Sequence, residues 1–132
     1  MHLDHIGIAV ADAPAARDLY AALLGAAPYK EEVVAAQGVN TIFFAAGEAK
    51  VELLEALGPD SPVARHLARR GEGLHHVAFE VADLRAEMAR LAAAGFRLLS
   101  DEPQAGADDK LVCFVHPQTA GGVLVELCQS RS

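Results

Sequence analysis

The sequence predicts an α+β fold of two tandem βαβββ modules that pair about a pseudo-twofold axis to form a curved-sheet cleft. Three observations predict it. Residues 5–12 (HIGIAVAD) lie on residues 76–83 (HVAFEVAD) at a shift of 71, with histidine, valine, alanine and aspartate coinciding and the apolar positions matching. Each copy is followed by a helix-spaced apolar stretch that an aspartate opens and a glycine closes. Each half ends on a related strand, Val51-Glu52-Leu53-Leu54 lying on Val125-Glu126-Leu127-Cys128 at a shift of 74.

The elements follow in order. Residues 5–10 alternate in polarity as a half-buried strand does. Asp12 is placed to accept hydrogen bonds from the free amides of a helix N-terminus, and Ala16, Leu19, Tyr20, Leu23 and Leu24 supply the apolar stripe behind it. Gly25 can take the left-handed conformation that ends a helix. Strand-like runs follow at residues 30–34, 39–45 and 50–55, with Gly47-Glu48 as the turn before the last. In the second half Asp83 caps, Leu84, Met88 and Leu91 form the stripe, and Gly95 closes. Strands are then expected at residues 96–99, 111–116 and 122–128, with His116-Pro117 and Gly121-Gly122 in the connecting turn. The single domain spans residues 1–132, with a first module over about 1–57 and a second over about 74–132. Between them, residues 58–73 read as a linker: a Gly-Pro turn, a short helix and a glycine-rich re-entry.

Composition narrows the function. Hydrophobic residues make up 52% of the 132, enough for a packed core and against disorder. No apolar run approaches the ~20 residues that cross a bilayer, and the first residues lack the charged head and apolar stretch of a secretory signal. A cytoplasmic protein without membrane partners is the expectation. Eleven basic against eighteen acidic residues leave a net charge of −7, which repels a phosphate backbone, so no nucleic-acid partner is expected. Cys113 and Cys128 have no Cys-x-x-Cys spacing and sit in apolar strands, where free buried thiols are the ordinary outcome.

Strand alternation picks out the site. Ile6, Ile8 and Val10 should face the first helix, with His5, Gly7 and Ala9 on the other side. Val77, Phe79 and Val81 should do the same in the second copy, leaving His76, Ala78 and Glu80 opposite. On the last strands, Glu52 alternates with Val51 and Leu53, and Glu126 with Val125 and Leu127. Each module therefore carries one histidine and one glutamate on the face away from its helix. One such pair is ordinarily a hydrogen-bonded or solvated feature; the same pair twice at matching positions points to a metal. His5, Glu52, His76 and Glu126 would bind a divalent ion with two ligand positions open, and nitrogen donors favour cobalt, manganese, iron, nickel or zinc over magnesium. His2, His66, His75 and His116 read as surface or capping residues.

At this point the chain resembles the vicinal oxygen chelate superfamily, which includes glyoxalase I, extradiol dioxygenases and bleomycin-resistance proteins. Within it the resemblance is to the methylmalonyl-CoA epimerases. It is carried by HIGIAV from His5, Gln37-Gly38-Val39, VELLE from Val51, LGPDSP from Leu57, GEGLHHVAF from Gly71, Asp101-Glu102-Pro103, His116-Pro117 and GGVLVEL from Gly121. It implies metal-ligand roles for His5, Glu52, His76 and Glu126, with cobalt the expected ion and manganese, nickel or zinc as substitutes. It implies an acyl-CoA substrate, the 2R and 2S forms of methylmalonyl-CoA being interconverted by proton removal at C2 through a metal-stabilised thioester enolate. Glu126 would act on one face as the catalytic acid/base. A homodimer is expected by the same analogy.

The sequence departs from part of the family at Thr41, where some members carry glutamate. A threonine hydroxyl is too weak an acid and base to replace it, which leaves the second proton carrier to a metal-held water, Glu52 or another carboxylate. Lys50, Arg97, Lys110 and the Arg69-Arg70 pair are candidate partners for CoA phosphates, although a solvated surface charge is the ordinary reading of each. Two other chemistries share the fold: a glyoxalase I-type lactoylglutathione lyase with the same four ligands, and a metal-free sequestering module that would not need them. An extradiol dioxygenase fits less well, since Glu52 as a fourth ligand would take a position that dioxygen and a catechol require.

Overall fold

In the computed structural model, which describes residues 1–131, strand β1 (His2–Val10) runs into helix α1 (Ala13–Leu24) and then β2 (Lys30–Val34), β3 (Val39–Ala46) and β4 (Ala49–Ala56). Helix α2 (Pro62–Arg70) leads to β5 (Gly73–Glu80), α3 (Leu84–Ala93), β6 (Gln104–Ala105), β7 (Lys110–Val115) and β8 (Val125–Ser130). Asp12 caps α1 by accepting from the Ala15 amide, and Asp83 caps α3 by accepting from the Ala86 amide, each at 3.1 Å. Gly25 ends α1 in the left-handed conformation. In α3 the cap is Ala94 and the left-handed turn comes one residue later, at Gly95.

Contacts group the chain into two compact units, residues His5–His75 and residues Met1–Asp4 with the chain from His76 onward. Within the first unit the strands are ordered β2-β3-β4-β1; within the second, β5-β8-β7-β6. The two orders are the same once strands are counted within each module. In both, the first strand pairs parallel with the last, and the remaining pairs are antiparallel. The linker helix belongs to the first unit: α2 buries Val63 to 1% exposure, and Ser61 caps it by accepting from the Ala64 amide. Gly38 makes this packing possible. Its φ of +66° suits glycine, and a Cβ there would lie 2.9 Å from the Ser61 Cβ.

Each helix covers its own sheet. Ala13 and Ala16 of α1 pack on Ile8, Val10, Ile42, Phe44, Val51 and Leu53, with Ile6 and Tyr20 at the margin. Leu84, Met88 and Leu91 of α3 pack on Val81, Cys113, Val115 and Leu127. Leu19, Leu23 and Leu24, expected in the α1 stripe, are instead exposed, because α1 is rolled so that Ala13, Ala16, Tyr20 and Ala21 meet the sheet. Cys113 and Cys128 are free and buried, and burial pushes both thiols above their ordinary pKa.

Residues 96–99 do not form the expected strand. Leu98 makes one isolated bridge to Val115, supported by the Leu99 amide donating to Phe114 O and the His116 amide to Arg97 O. Pairing with β7 resumes at the two-residue β6. The interruption has a local cause: the Ser100 hydroxyl donates to Glu102 O, and Pro103 has no amide to donate to a ladder. Residues 122–124 also stay out of β8, since Gly121 and Gly122 have φ of +69° and +91°.

Lys110 is buried within the second unit, where its ammonium donates to Asp4 Oδ1 at 2.7 Å and lies 3.5 Å from Glu80 Oε1. The opening residues of β1 are thus tied to β7 by an ion pair. Burial alone would lower the lysine pKa, but the Asp4 hydrogen bond and the surrounding negative charge raise it. Glu80 accepts from the Ser130 hydroxyl at 2.7 Å; that bond, against a smaller cost of burial and helped by Lys110, holds its carboxyl below the ordinary value. Lys110→Met should therefore destabilise the protein by about 3–5 kcal/mol in denaturant unfolding, because Asp4 would stay buried without its cation. Glu80 binds protons less readily folded than unfolded, so its contribution is complete above the unfolded carboxyl pKa and fades as pH falls through the lower folded value. The melting temperature of Glu80→Gln should accordingly fall less steeply than that of wild type when both are acidified below about pH 4.5.

Candidate metal and catalytic site

The register of each unit places one histidine beside one glutamate. In the first unit Glu52 of β4 lies between Gly7 of β1 and Phe43 of β3. In the second, Glu126 of β8 lies between Ala78 of β5 and Phe114 of β7. Laterally paired residues share a sheet face, and so do residues two apart on one strand. His5 and His76 each stand two residues before the small residue opposite the glutamate. Gly7 and Ala78 leave that glutamate space to lean along the first strand. The result is the same in both units: His5 Nδ1 lies 3.1 Å from Glu52 Oε2, and His76 Nε2 lies 3.2 Å from Glu126 Oε1.

All four residues are 4–6% exposed. A buried carboxylate is costly without a partner that carries positive charge or donates hydrogen bonds. An imidazole answers this if it is protonated; a cation accepted by both groups would answer it as well. Imidazole nitrogen with carboxylate oxygen is a donor set suited to a first-row divalent ion. The structure thus brings His5 to Glu52 and His76 to Glu126, the pairs expected from the repeat.

The aromatic member of each constellation was not singled out from the sequence. Phe114 meets the His76 ring edge-on at 5.7 Å and 85°. Phe43, its counterpart at a shift of 71, is fully buried and carries Lys30 Nζ 5.2 Å from its ring centre. The repeat contains the signal, since both phenylalanines neighbour the glutamate on the preceding strand, but strand register is needed to see it. Thr41 lies two residues before Phe43 on the same face, at 1% exposure.

The remaining histidines have other surroundings. His66 and His75 stack edge-on with centres 5.0 Å apart, His116 Nδ1 accepts from the Gln118 amide, and His2 pairs with Glu80 at 3.1 Å. His2, Asp4 and Glu80 offer closely spaced donor atoms, yet Lys110 already supplies a cation there. Lys110 is therefore not a surface cation for phosphates: its ammonium is consumed inside the second unit. Lys50 is half-buried as the register partner of His5, on the face that carries Glu52.

Comparison with known proteins identifies the family of the chain. A family model described as the glyoxalase/bleomycin resistance protein/dioxygenase superfamily matches residues 4–114. The chain belongs to that superfamily, and its paired βαβββ modules are the superfamily's α+β fold. Enzymes of the superfamily generally depend on a divalent metal, and the chain has groups able to ligate one. Within the superfamily the chain is 43% identical over 129 residues to an ethylmalonyl-CoA/methylmalonyl-CoA epimerase of Cereibacter sphaeroides, covering 96% of each. It is similar to a crystal structure of methylmalonyl-CoA epimerase from Mycobacterium tuberculosis, with a TM-score of 0.94 and 36% identity over 99% of this chain and 89% of that one. A methylmalonyl-CoA epimerase in complex with methylmalonyl-CoA and NH4+ gives 0.92 and 37%, over 99% and 95%.

The small residue opposite each glutamate carries a testable consequence. Ala78 is fully buried, so Ala78→Val adds two methyl groups where Glu126 leans towards His76. The variant should lose about 1–3 kcal/mol in chemical unfolding, and its structure should show the Glu126 carboxylate displaced from the imidazole.

Proposed function

We propose that this chain is a methylmalonyl-CoA epimerase, interconverting the 2R and 2S thioesters by moving the proton at C2. What carries the reading is a His–Glu pair at equivalent register in both modules of a chain 40–43% identical to named epimerases over nearly its whole length. The related enzymes are named for this reaction, which favours it over a lactoylglutathione lyase or a sequestering module.

The chemistry asks for two things. The C2 proton lies between a thioester and a carboxylate and is weakly acidic, so the charge that develops on the oxygens must be stabilised. A proton must then be delivered to the opposite face of the planar enolate. In the proposed site His5, Glu52, His76 and Glu126 together hold a divalent ion, with cobalt the expected metal. When bound, that ion supplies electrostatic stabilisation of the substrate's oxygens. Glu126 takes or returns the proton on one face of C2. Its imidazole neighbour fixes the direction of the carboxylate, and Phe114 packs edge-on against that imidazole. The proton carrier on the other face is Glu52 or a water held beside it, because Thr41 stands where a second glutamate would. A cytoplasmic homodimer completes the reading by family analogy.

Glu126→Gln preserves shape and removes the base. It should slow deuterium uptake at C2 from heavy water by about 10²–10⁴-fold; normal exchange with an unchanged metal content would remove Glu126 from the mechanism. Stripping the metal with a chelator should abolish epimerisation of methylmalonyl-CoA, and cobalt should restore it. Full activity in metal-stripped protein would overturn the proposed role of the four ligands, while turnover of methylglyoxal with glutathione in place of methylmalonyl-CoA would favour the lyase.

A further inference from the structure

Thr41 is buried in the middle of β3, and among the described residues its Oγ1 is the one buried side-chain oxygen or nitrogen without a hydrogen-bond partner. A hydroxyl shut away from water without a partner is destabilising, and proteins rarely retain one. Its neighbours do not need it. On β4 the register partner is Leu54, and beyond Leu54 on β1 lies Ala9, both apolar. On β2 the partner is Glu32, whose carboxylate pairs instead with Lys30 Nζ at 3.3 Å.

The second module acts as an internal control. Counting from the glutamate of the last strand, Phe43 corresponds to Phe114, Ile42 to Cys113 and Thr41 to Val112. Val112 has the shape of threonine without the hydroxyl and is 2% exposed. The same position in the same strand order therefore packs with an apolar isostere, and packing does not account for the oxygen at Thr41. Its location suggests what does. Thr41 is on the face that carries His5 and Glu52, two residues along β3 from the register partner of Glu52. On this part of β1 the residues of that face are Gly7 and Ala9, the two smallest side chains.

We infer that the Thr41 hydroxyl is a substrate-binding donor, hydrogen-bonding an acceptor oxygen of the malonyl head group on the His5–Glu52 face. The inference rests on the acyl-CoA reading above and extends it by one residue. Thr41 moves no proton: its part is to orient the acyl group so that C2 meets its acid/base groups, and to discriminate in favour of acyl groups that bring an acceptor.

Calorimetric titration of the metal-loaded protein with malonyl-CoA and with propionyl-CoA tests it, using wild type, Thr41→Val and Thr41→Ser. Neither probe has a stereocentre at C2, so binding is read apart from epimerisation. Thr41→Val should bind malonyl-CoA about tenfold more weakly, as expected for a lost hydrogen bond to a charged acceptor, and Thr41→Ser should recover most of that loss. Without ligand, Thr41→Val should melt no lower than wild type. Weakening towards malonyl-CoA alone identifies the carboxylate as the acceptor; equal weakening towards both identifies the thioester oxygen. Unchanged affinity for both probes in Thr41→Val overturns the inference, and a lower melting temperature with it would make the hydroxyl a structural group. Wild-type protein that bound neither probe and did not epimerise methylmalonyl-CoA would sink the acyl-CoA reading itself, a result distinct from a silent Thr41→Val in active protein.

Discussion

The two-residue period of a β-strand underlies most of what this chain does. Because alternate side chains leave a strand on opposite faces, a helix packed on one face leaves the other for polar groups whose spacing the backbone sets. In each module the parallel pairing of first and last strands puts a glutamate opposite a glycine or alanine, and the histidine two residues earlier comes within reach of its carboxylate. A slip of one residue in either pairing would turn the glutamate under the helix and bring Leu53 or Leu127 out in its place. The hydrophobic clusters under α1 and α3 resist that slip. Core packing and site geometry are thus the same constraint viewed from the two sides of one sheet.

Charge is distributed accordingly. A chain of net charge −7 still buries several carboxylates, and each has an identifiable answer. Asp4 has Lys110, Glu80 has Ser130 and His2 at a more exposed place, and Glu52 and Glu126 have imidazoles. The lysine permits no exchange of partner and acts as a fastening. The imidazoles are the softer choice, since they can give up a proton and accept a metal. That difference in partner chemistry separates the structural carboxylates from the candidate functional ones, although burial is similar for Asp4, Glu52 and Glu126.

Much of this was legible in the residues. The repeat of residues 5–12 at 76–83, the two capping aspartates and the alternating polarity of the last strands led to His5, Glu52, His76 and Glu126, because they depend on local periodicity alone. Other features were out of reach. Residues 96–99 have the composition of a strand, but the break at Ser100 and Pro103 left them a single bridge. Leu19 and Leu23 have helical spacing, yet whether a leucine faces the sheet depends on how α1 is rolled upon it. Lys110 reads as one more surface cation until Asp4 is found beside it within the second unit.

By itself, then, the sequence determined the βαβββ duplication, its helix ends and the identity of the two His–Glu couples, for these follow from spacing along one strand or one turn. Which residues flank each couple was decided only in the tertiary structure: Phe43 and Phe114 as walls, Gly7 and Ala78 as the gaps opposite, Thr41 as an unanswered hydroxyl where its counterpart is Val112. The physical reason is that register between strands is a relation among distant segments. It is set by the packing of whole faces, and no stretch of neighbouring residues encodes it.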